Sequence, residues 1–451
     1  MATPAAPTSF VRIAPETEEV DKQLPSVLFS ITRWGLIAGL LAAPLAFGAV
    51  QTWAWCALLV VSLALFLLWA IANAQQGILR IRWTPLYIPA TLFLALASVQ
   101  YYGGFTFDRY ATQDAIYSVV TALIFFFLAG QLFGEAPRAV WRGLGLVVTL
   151  YAFSMGLFAI VQFFSSHNLI YWTVRSHGST FGPYVNRDDY AGLMEMMIPI
   201  AATYVFSRSR SDPQRLVLAF SLCVPVASVL LSGSRGGLIS LLVETLIMGG
   251  ILWRQRLGEG SGYFEAMFVL GITAVALLFF WMAPNRIEKR LAALANVTQT
   301  VEVSYAQRKL AALDTLHIFR DHPWIGTGLG SFETVFPQYQ TFPTNLVWTH
   351  AHNDYAEALA ETGLAGGILI VLALVLFFKR AFRDLRHRLR NEAGWIQLGA
   401  ALGCCALLVH SFADFNLHIP ANAACFALLA GLATLSTPPA RTRPETRHSP
   451  H

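Results

Sequence analysis

The sequence predicts an all-α integral membrane protein of about twelve transmembrane helices with one long extracytoplasmic loop, and three observations carry that prediction. Of its 451 residues, 55% are hydrophobic and only 13% are charged, with a mean hydropathy of +0.53. A soluble domain carries about a quarter charged residues, so apolar surface on this scale faces lipid rather than one large core. Apolar runs also recur along the whole chain, each near the roughly 20 residues that cross a bilayer core as a helix. Finally, the formal charge of +5 is dispersed in short basic clusters between those runs. Such clusters report membrane topology and not a nucleic-acid surface.

Taken in order, residues 1–33 are polar, with Pro, Glu and Asp, and read as a cytoplasmic tail instead of a cleavable signal. Nine spans are expected within 34–283, near 34–50, 52–73, 84–101, 114–133, 140–163, 188–207, 214–231, 237–253 and 262–283. Residues 284–354 form the long loop. Three more spans, near 355–378, 395–413 and 418–436, complete a segment at 355–436, and 437–451 is a second tail. The five cysteines fall inside apolar runs without metal-ligand or disulfide spacing, so they act as small hydrophobes.

Orientation follows from the short loops. Placing the N-terminus in the cytoplasm puts Arg80, Arg82, Arg138, Arg142, Arg208, Arg210, Arg215, Arg254 and Arg256 inside. Lys379, Arg380, Arg383, Arg386, Arg388 and Arg390 join them, against only Arg109, Arg175, Arg187 and Arg235 outside. That bias predicts that both termini are cytoplasmic. The outside arginines are then the anomaly. Arg235 stands out because its loop, Ser232-Gly233-Ser234-Arg235-Gly236-Gly237, is barely longer than a turn. An ionisable residue at membrane depth faces a cavity or a partner unless it snorkels to headgroups.

The long loop is not low-complexity. Ser304 offers a helix cap, and Leu310, Leu313, Leu316 and Phe319 make the apolar stripe of an amphipathic helix. Asp321-His322-Pro323 ends that helix, and Gly326, Gly328 and Gly330 read as a turn. A second amphipathic helix is expected at 286–299, so that a helical cap covers the outer mouth of the bundle.

The densest polar constellation follows: His350-Ala351-His352-Asn353-Asp354-Tyr355-Ala356-Glu357, then Glu361, Gly363, Gly366 and Gly367. Histidine is the commonest general base near neutral pH and needs an orienting partner. At the N-terminal end of a helix it also sits beside free N–H groups that favour phosphate. Two histidines at i and i+2 without further close ligands make a poor zinc site. The competing reading is interfacial capping. Glu195 and Glu244, inside apolar runs, line a cavity or bond between helices, while Trp324 and Trp348 are outside aromatics that are candidates for stacking on a ligand.

His352-Asn353, nine residues, then Gly363-Leu364-Ala365-Gly366 resembles the signature of the bacterial O-antigen ligase family, a group that includes surface-polysaccharide polymerases. Ser179-Thr180-Phe181-Gly182 with Asn186-Arg187 and Tyr190-Ala191-Gly192, the turn Ser234-Arg235-Gly236-Gly237, the stretch 321–330, and His410-Ser411 with Asp414, Leu417, His418 and Pro420 resemble that family in the same order. Gly367 departs from the Ala, Thr or Val that closes the ligase signature. The resemblance covers roughly residues 140–435.

It implies a glycosyltransferase of the bacterial inner membrane with a periplasmic active face. The donor would be a glycan on a polyprenyl diphosphate, and the acceptor a hydroxyl of lipid A-core or another glycan. A leaving diphosphate needs cations fixed beforehand, and arginine's planar fork suits it. Arg235 is the first choice, Arg308 the second by its rough position in the family, and Arg187 the third. His352 would take the acceptor proton, with Asn353 and Asp354 holding its ring and His350 beside the substrate. No cofactor and no metal is expected. The first outside loop, at Gln51-Thr52-Trp53, has no carboxylate, and Asp188-Asp189, adjacent rather than spaced, reads as a loop-to-helix boundary. A polymerase with the same donor is the alternative within the class, and a transporter the alternative outside it. A transporter is disfavoured because the two halves of the chain show no convincing internal repeat.

Overall fold

The computed structural model describes residues 23–77, 79–176, 178–209, 211–256 and 305–435. They are mostly helical with almost no sheet. In chain order the main helices are α1 (Gln23–Ala42), α2 (Thr52–Gln75), α3 (Tyr87–Tyr102), α4 (Arg109–Phe133), α5 (Arg138–Ser165) and α6 (Arg187–Ser207). They continue with α7 (Pro213–Ser221), α8 (Cys223–Ser232), α9 (Arg235–Arg256), α10 (Tyr305–Asp321), α11 (Asp354–Ala381), α12 (Glu392–His410) and α13 (Pro420–Ala433). A two-residue antiparallel pairing, Leu169–Ile170 with Val174–Arg175, ties the loop ahead of α6.

Among the described residues, eight helical stretches are long and apolar enough to cross a membrane, with α7 and α8 counting as one stretch, Pro213–Ser232. The expectation of about twelve spans rests additionally on α3 and α13, of 16 and 14 residues, on α6 with its charged first turn, and on 262–283. That last stretch and the expected helix at 286–299 lie outside the described residues. The first span differs from the expectation. It begins at Gln23, inside the segment read as a tail, because Arg33 does not end it: the guanidinium donates to the Leu132 carbonyl at 2.9 Å and lies over Phe133.

Several helix starts are set by an Asp or Asn side chain that accepts from the first-turn N–H groups. Asp108 does so for α4, Asn186 for α6, Asp212 for α7, Asn353 for α11 and Asn391 for α12. The centre of the bundle is α6, in which every residue from Asp188 to Phe206 is buried. Its principal neighbour is α12, and the approach is close because Gly399 and Gly403 recur at i and i+4. A Cβ on Gly399 would lie 2.6 Å from the Ile200 Cα, and one on Gly403 2.7 Å from the Met196 carbonyl. Small residues at this spacing let membrane helices meet backbone to backbone.

The segment from α10 to His352 builds a second, smaller core over one end of the bundle. Ala311, Ile318, Phe332, Phe336, Phe342 and Trp348 bury each other there. Here the sequence reading needs correction. The leucine stripe of α10 faces outward, with Leu310, Leu313 and Leu316 exposed, whereas Ala311, Asp314, Thr315 and Ile318 face the core. The polar pair is buried because each has a bond: Asp314 accepts from the Thr341 N–H at 2.9 Å, and Thr315 donates to the Ala311 carbonyl.

Replacing Gly403 with Leu is expected to cost about 1–3 kcal/mol through overpacking, read as a lower thermal midpoint in detergent. An unchanged midpoint would show that α12 and α6 do not approach this closely.

Candidate active site

The loop 322–330 is fastened to α11 by its backbone. Thr327 N–H donates to the Ala360 carbonyl and Gly328 N–H to that of Glu361, both at 3.0 Å. In return Leu364 and Ala365 donate to Pro323 and Trp324. Gly363 breaks the helical path of α11 at φ 62°, ψ −163°, and its Cβ would lie 2.5 Å from the Trp324 carbonyl carbon. Gly326, at φ 70°, has the same relation to Glu361. The glycines of both motifs therefore serve this docking, and Gln100 completes it by donating to Ile325 and Glu361 and accepting from Leu329.

That docking delivers His352 to the start of α11. Its φ of 52° is left-handed, a conformation that costs a non-glycine residue roughly 1–3 kcal/mol. The cost is met by bonds on both sides. Asn353 caps α11 through the Tyr355 and Ala356 N–H groups and donates to the Phe412 carbonyl at 3.0 Å. The His352 Nδ1 faces Asp414 Oδ1 at 3.0 Å, and Asp414 is fully buried. With the Asp414 carboxylate as acceptor, Nδ1 is the donor of this pair, and Nε2 is the ring nitrogen left facing away from it.

Asp414 is shared. Arg308 Nη1 approaches its Oδ2 at 3.7 Å, while Nη2 bonds Asp188 Oδ2 at 2.9 Å. Asp188 in turn meets the Ser234 hydroxyl, in the turn that carries Arg235. The turn's other neighbour is Arg187, whose Nη1 lies 3.3 Å from where a Cβ on Gly233 would be. Thus the fold gathers His352, Arg308, Arg187 and the Arg235 turn at one end of the bundle, with Arg235 itself exposed on the first residue of α9.

His350 joins a neighbouring network. Its Nδ1 meets Glu357 Oε1 at 2.8 Å, and His418 Nε2 meets the same oxygen at 3.3 Å. Asp354 Oδ1 accepts from His418 Nδ1 at 2.9 Å. The expected roles of Asn353 and Asp354 are corrected accordingly. Neither holds the His352 ring: Asn353 is spent on the helix cap, and Asp354, one residue on and therefore turned away by the helix, holds His418. Trp348 is also corrected, since it is buried in the small core beside Phe342, while Trp324 remains 73% exposed.

Three residues with roles here were not assigned by the sequence. Asp188 is a ligand for Arg308 besides opening α6. Asp414 and His418 carried only the family resemblance. Glu195, one of two carboxylates in apolar runs, is bonded to His410 at 3.1 Å, whereas Glu244 Oε2 is buried without a hydrogen-bond partner among the described residues. Two groups have ligand atoms within 4.8 Å of one another and donor types suited to a cation: His350, Glu357 and His418, and Asp188, His410 and Asp414. In the first, both imidazoles already converge on one glutamate oxygen; in the second, Arg308 occupies Asp188.

His418 lies in the turn ahead of α13. Burial works against its charge, but the Glu357 and Asp354 carboxylates outweigh it and raise the pKa from 6.5 to about 10. A raised histidine stabilises the fold fully below its ordinary value and loses that contribution as pH climbs through the folded one. The difference in thermal midpoint between wild type and a His418→Gln variant is therefore expected to be largest near pH ~6 and to shrink towards pH ~10. A difference independent of pH would mean that His418 is not charged in the fold.

The O-antigen ligase family model matches residues 216–371, a stretch that holds Arg235, Arg308, His350 and His352. Arg187, Asp188, His410 and Asp414 lie outside it in sequence and fold onto it. No curated protein matches the chain. The match over residues 216–371, set within a membrane-helical fold, supports the O-antigen ligase family for this part of the chain.

Proposed function

We propose that the protein transfers a glycan from a polyprenyl diphosphate carrier to an acceptor hydroxyl, at the periplasmic face of the bacterial inner membrane, with both termini in the cytoplasm. The observation that carries this reading is one buried carboxylate, Asp414, facing both an imidazole and a guanidinium. Base and cation are thereby held in fixed relation, as a reaction that removes a proton at one side and releases an anion at the other requires.

The acceptor oxygen attacks the anomeric carbon while the bond from that carbon to the diphosphate oxygen breaks. His352 Nε2 takes the hydroxyl proton. Asp414 accepts from Nδ1 and stabilises the imidazolium that forms. The bonding pair leaves with the diphosphate, whose developing charge falls to Arg308, Arg235 and Arg187. Cations that already stand in place reorganise little during the reaction. This assignment needs neither cofactor nor metal, and His350, Asn353 and Asp354 act by shaping the acceptor side. The acceptor is proposed to be lipid A-core.

Purified protein with a lipid-linked oligosaccharide and lipid A-core, in the presence of EDTA, is expected to release polyprenyl diphosphate. His352→Ala should abolish release, and Asp414→Asn should lower kcat by about 100- to 10,000-fold, the usual worth of a positioned base. Release that needs no lipid A-core and lengthens the glycan would instead identify a polymerase. No release by wild type from any lipid-linked donor would sink the transferase reading.

A further inference from the structure

One buried pair has no part in the chemistry above. His410, the last residue of α12, is 1% exposed, and its Nδ1 lies 3.1 and 3.2 Å from the two oxygens of Glu195, which is wholly buried on α6. The carboxylates of Asp188 and Asp414 are also close, the three residues bringing ligand atoms within 4.8 Å of one another. On its other side the ring lies against the Arg235 turn. A Cβ on Gly236 would stand 2.3 Å from His410 Cδ2 and Nε2. The glycine after Arg235 is thus a space requirement of the imidazole, and its own backbone is ordinary helix at the start of α9.

We infer that His410, oriented by Glu195, is a positioning residue for the proposed transfer: it seats the Arg235 turn and sets the two carboxylates that hold Arg308 and His352. The inference rests on the reading of the site given above. It touches no substrate. Its ring occupies the volume where α6, α9 and the segment after α12 meet, so the cation that binds the leaving group and the base that takes the proton are set from one point. Residues that act as a unit give non-additive losses when removed. Removal of either His410 or Glu195 alone strands the other in a buried site, whereas removal of both strands neither.

The test uses the full-length protein in detergent or nanodiscs and the release assay with a lipid-linked oligosaccharide. His410→Gln and Glu195→Gln are each expected to lower kcat by about tenfold or more, with the KM for the lipid-linked donor held within about twofold. The double variant is expected to be no worse than the poorer single one. Gly236→Ala, which leaves both side chains in place but crowds the ring, should reproduce the loss in kcat. Thermal midpoints establish that each variant is folded. Unchanged kcat in folded His410→Gln, or losses that multiply in the double variant, would overturn the inference. Wild-type inactivity would bear on the transferase reading alone, while normal wild-type activity with an unaffected His410→Gln would bear on this inference alone. If His410→Gln fails to fold, Gly236→Ala decides: an active Gly236→Ala variant overturns the inference.

Discussion

A carboxylate buried at the end of a membrane bundle sets the requirements for everything around it. Asp414 has no exposure to solvent. Moving such a charge out of water costs several kcal/mol unless bonds and opposite charge replace the lost hydration. Two partners do so here, the His352 imidazole and the Arg308 guanidinium, and each arrives from a separate part of the chain. The histidine comes on the segment before α11, the arginine on α10, and Asp414 follows α12. Each partner is in turn constrained by what Asp414 requires of it. His352 must present Nδ1 inward, which turns Nε2 outward, and Arg308 must stretch between Asp414 and Asp188, which links α6 to the same point.

Holding a base in a left-handed backbone conformation demands a rigid frame, and the two glycine clusters supply it. Gly326 and Gly363 each lie where a side chain would strike the other segment's backbone, so loop and helix lie in contact with paired N–H and C=O groups. A break in α11 at Gly363 would expose carbonyls in the middle of a span. The docked loop donates to the carbonyls of Ala360 and Glu361 ahead of the break, so the break carries no orphaned groups there. Below this joint, α6 and α12 close on Gly399 and Gly403, which keeps the elements bearing Asp188 and Asp414 in register.

Much of this was legible in the sequence, for a physical reason. Hydropathy and charge clustering are properties of single segments, so most spans and their helix starts could be read locally. His352, Arg235 and Arg187 could be named because motifs mark them, and Arg308 by its rough position in the family. What could not be read was pairing across the chain. No local feature says that Asp414 rather than Asn353 or Asp354 holds the His352 ring, because that depends on how α12 ends against α11. The direction in which the α10 stripe faces was not legible for a related reason. Periodicity finds an apolar stripe but does not say whether it faces protein or lipid, and in a membrane protein the larger apolar side chains are free to face outward. Arg33 shows the complement: a charge that looked like the end of a tail is carried within a span by one carbonyl and one aromatic ring.

The two ends of the bundle use arginine differently. At the end where α4, α11 and α13 finish, carbonyls are left over. Arg33 donates to Leu132 there, and the buried Arg388 donates to Ala381 and Ala433, so these side chains are consumed as caps. At the other end α6, α9 and α11 begin, and their free groups are N–H donors, already met at α6 and α11 by Asn186 and Asn353. Helices finish at this end as well, α8 at Ser232 and α12 at His410, and Arg308 Nη1 donates to the Ala413 carbonyl just beyond α12 at 3.4 Å. The buried carboxylates Asp188 and Asp414 hold Arg308 in place here. An anion approaching the bundle therefore meets capping arginines at one end and, at the other, arginines gathered around buried carboxylates.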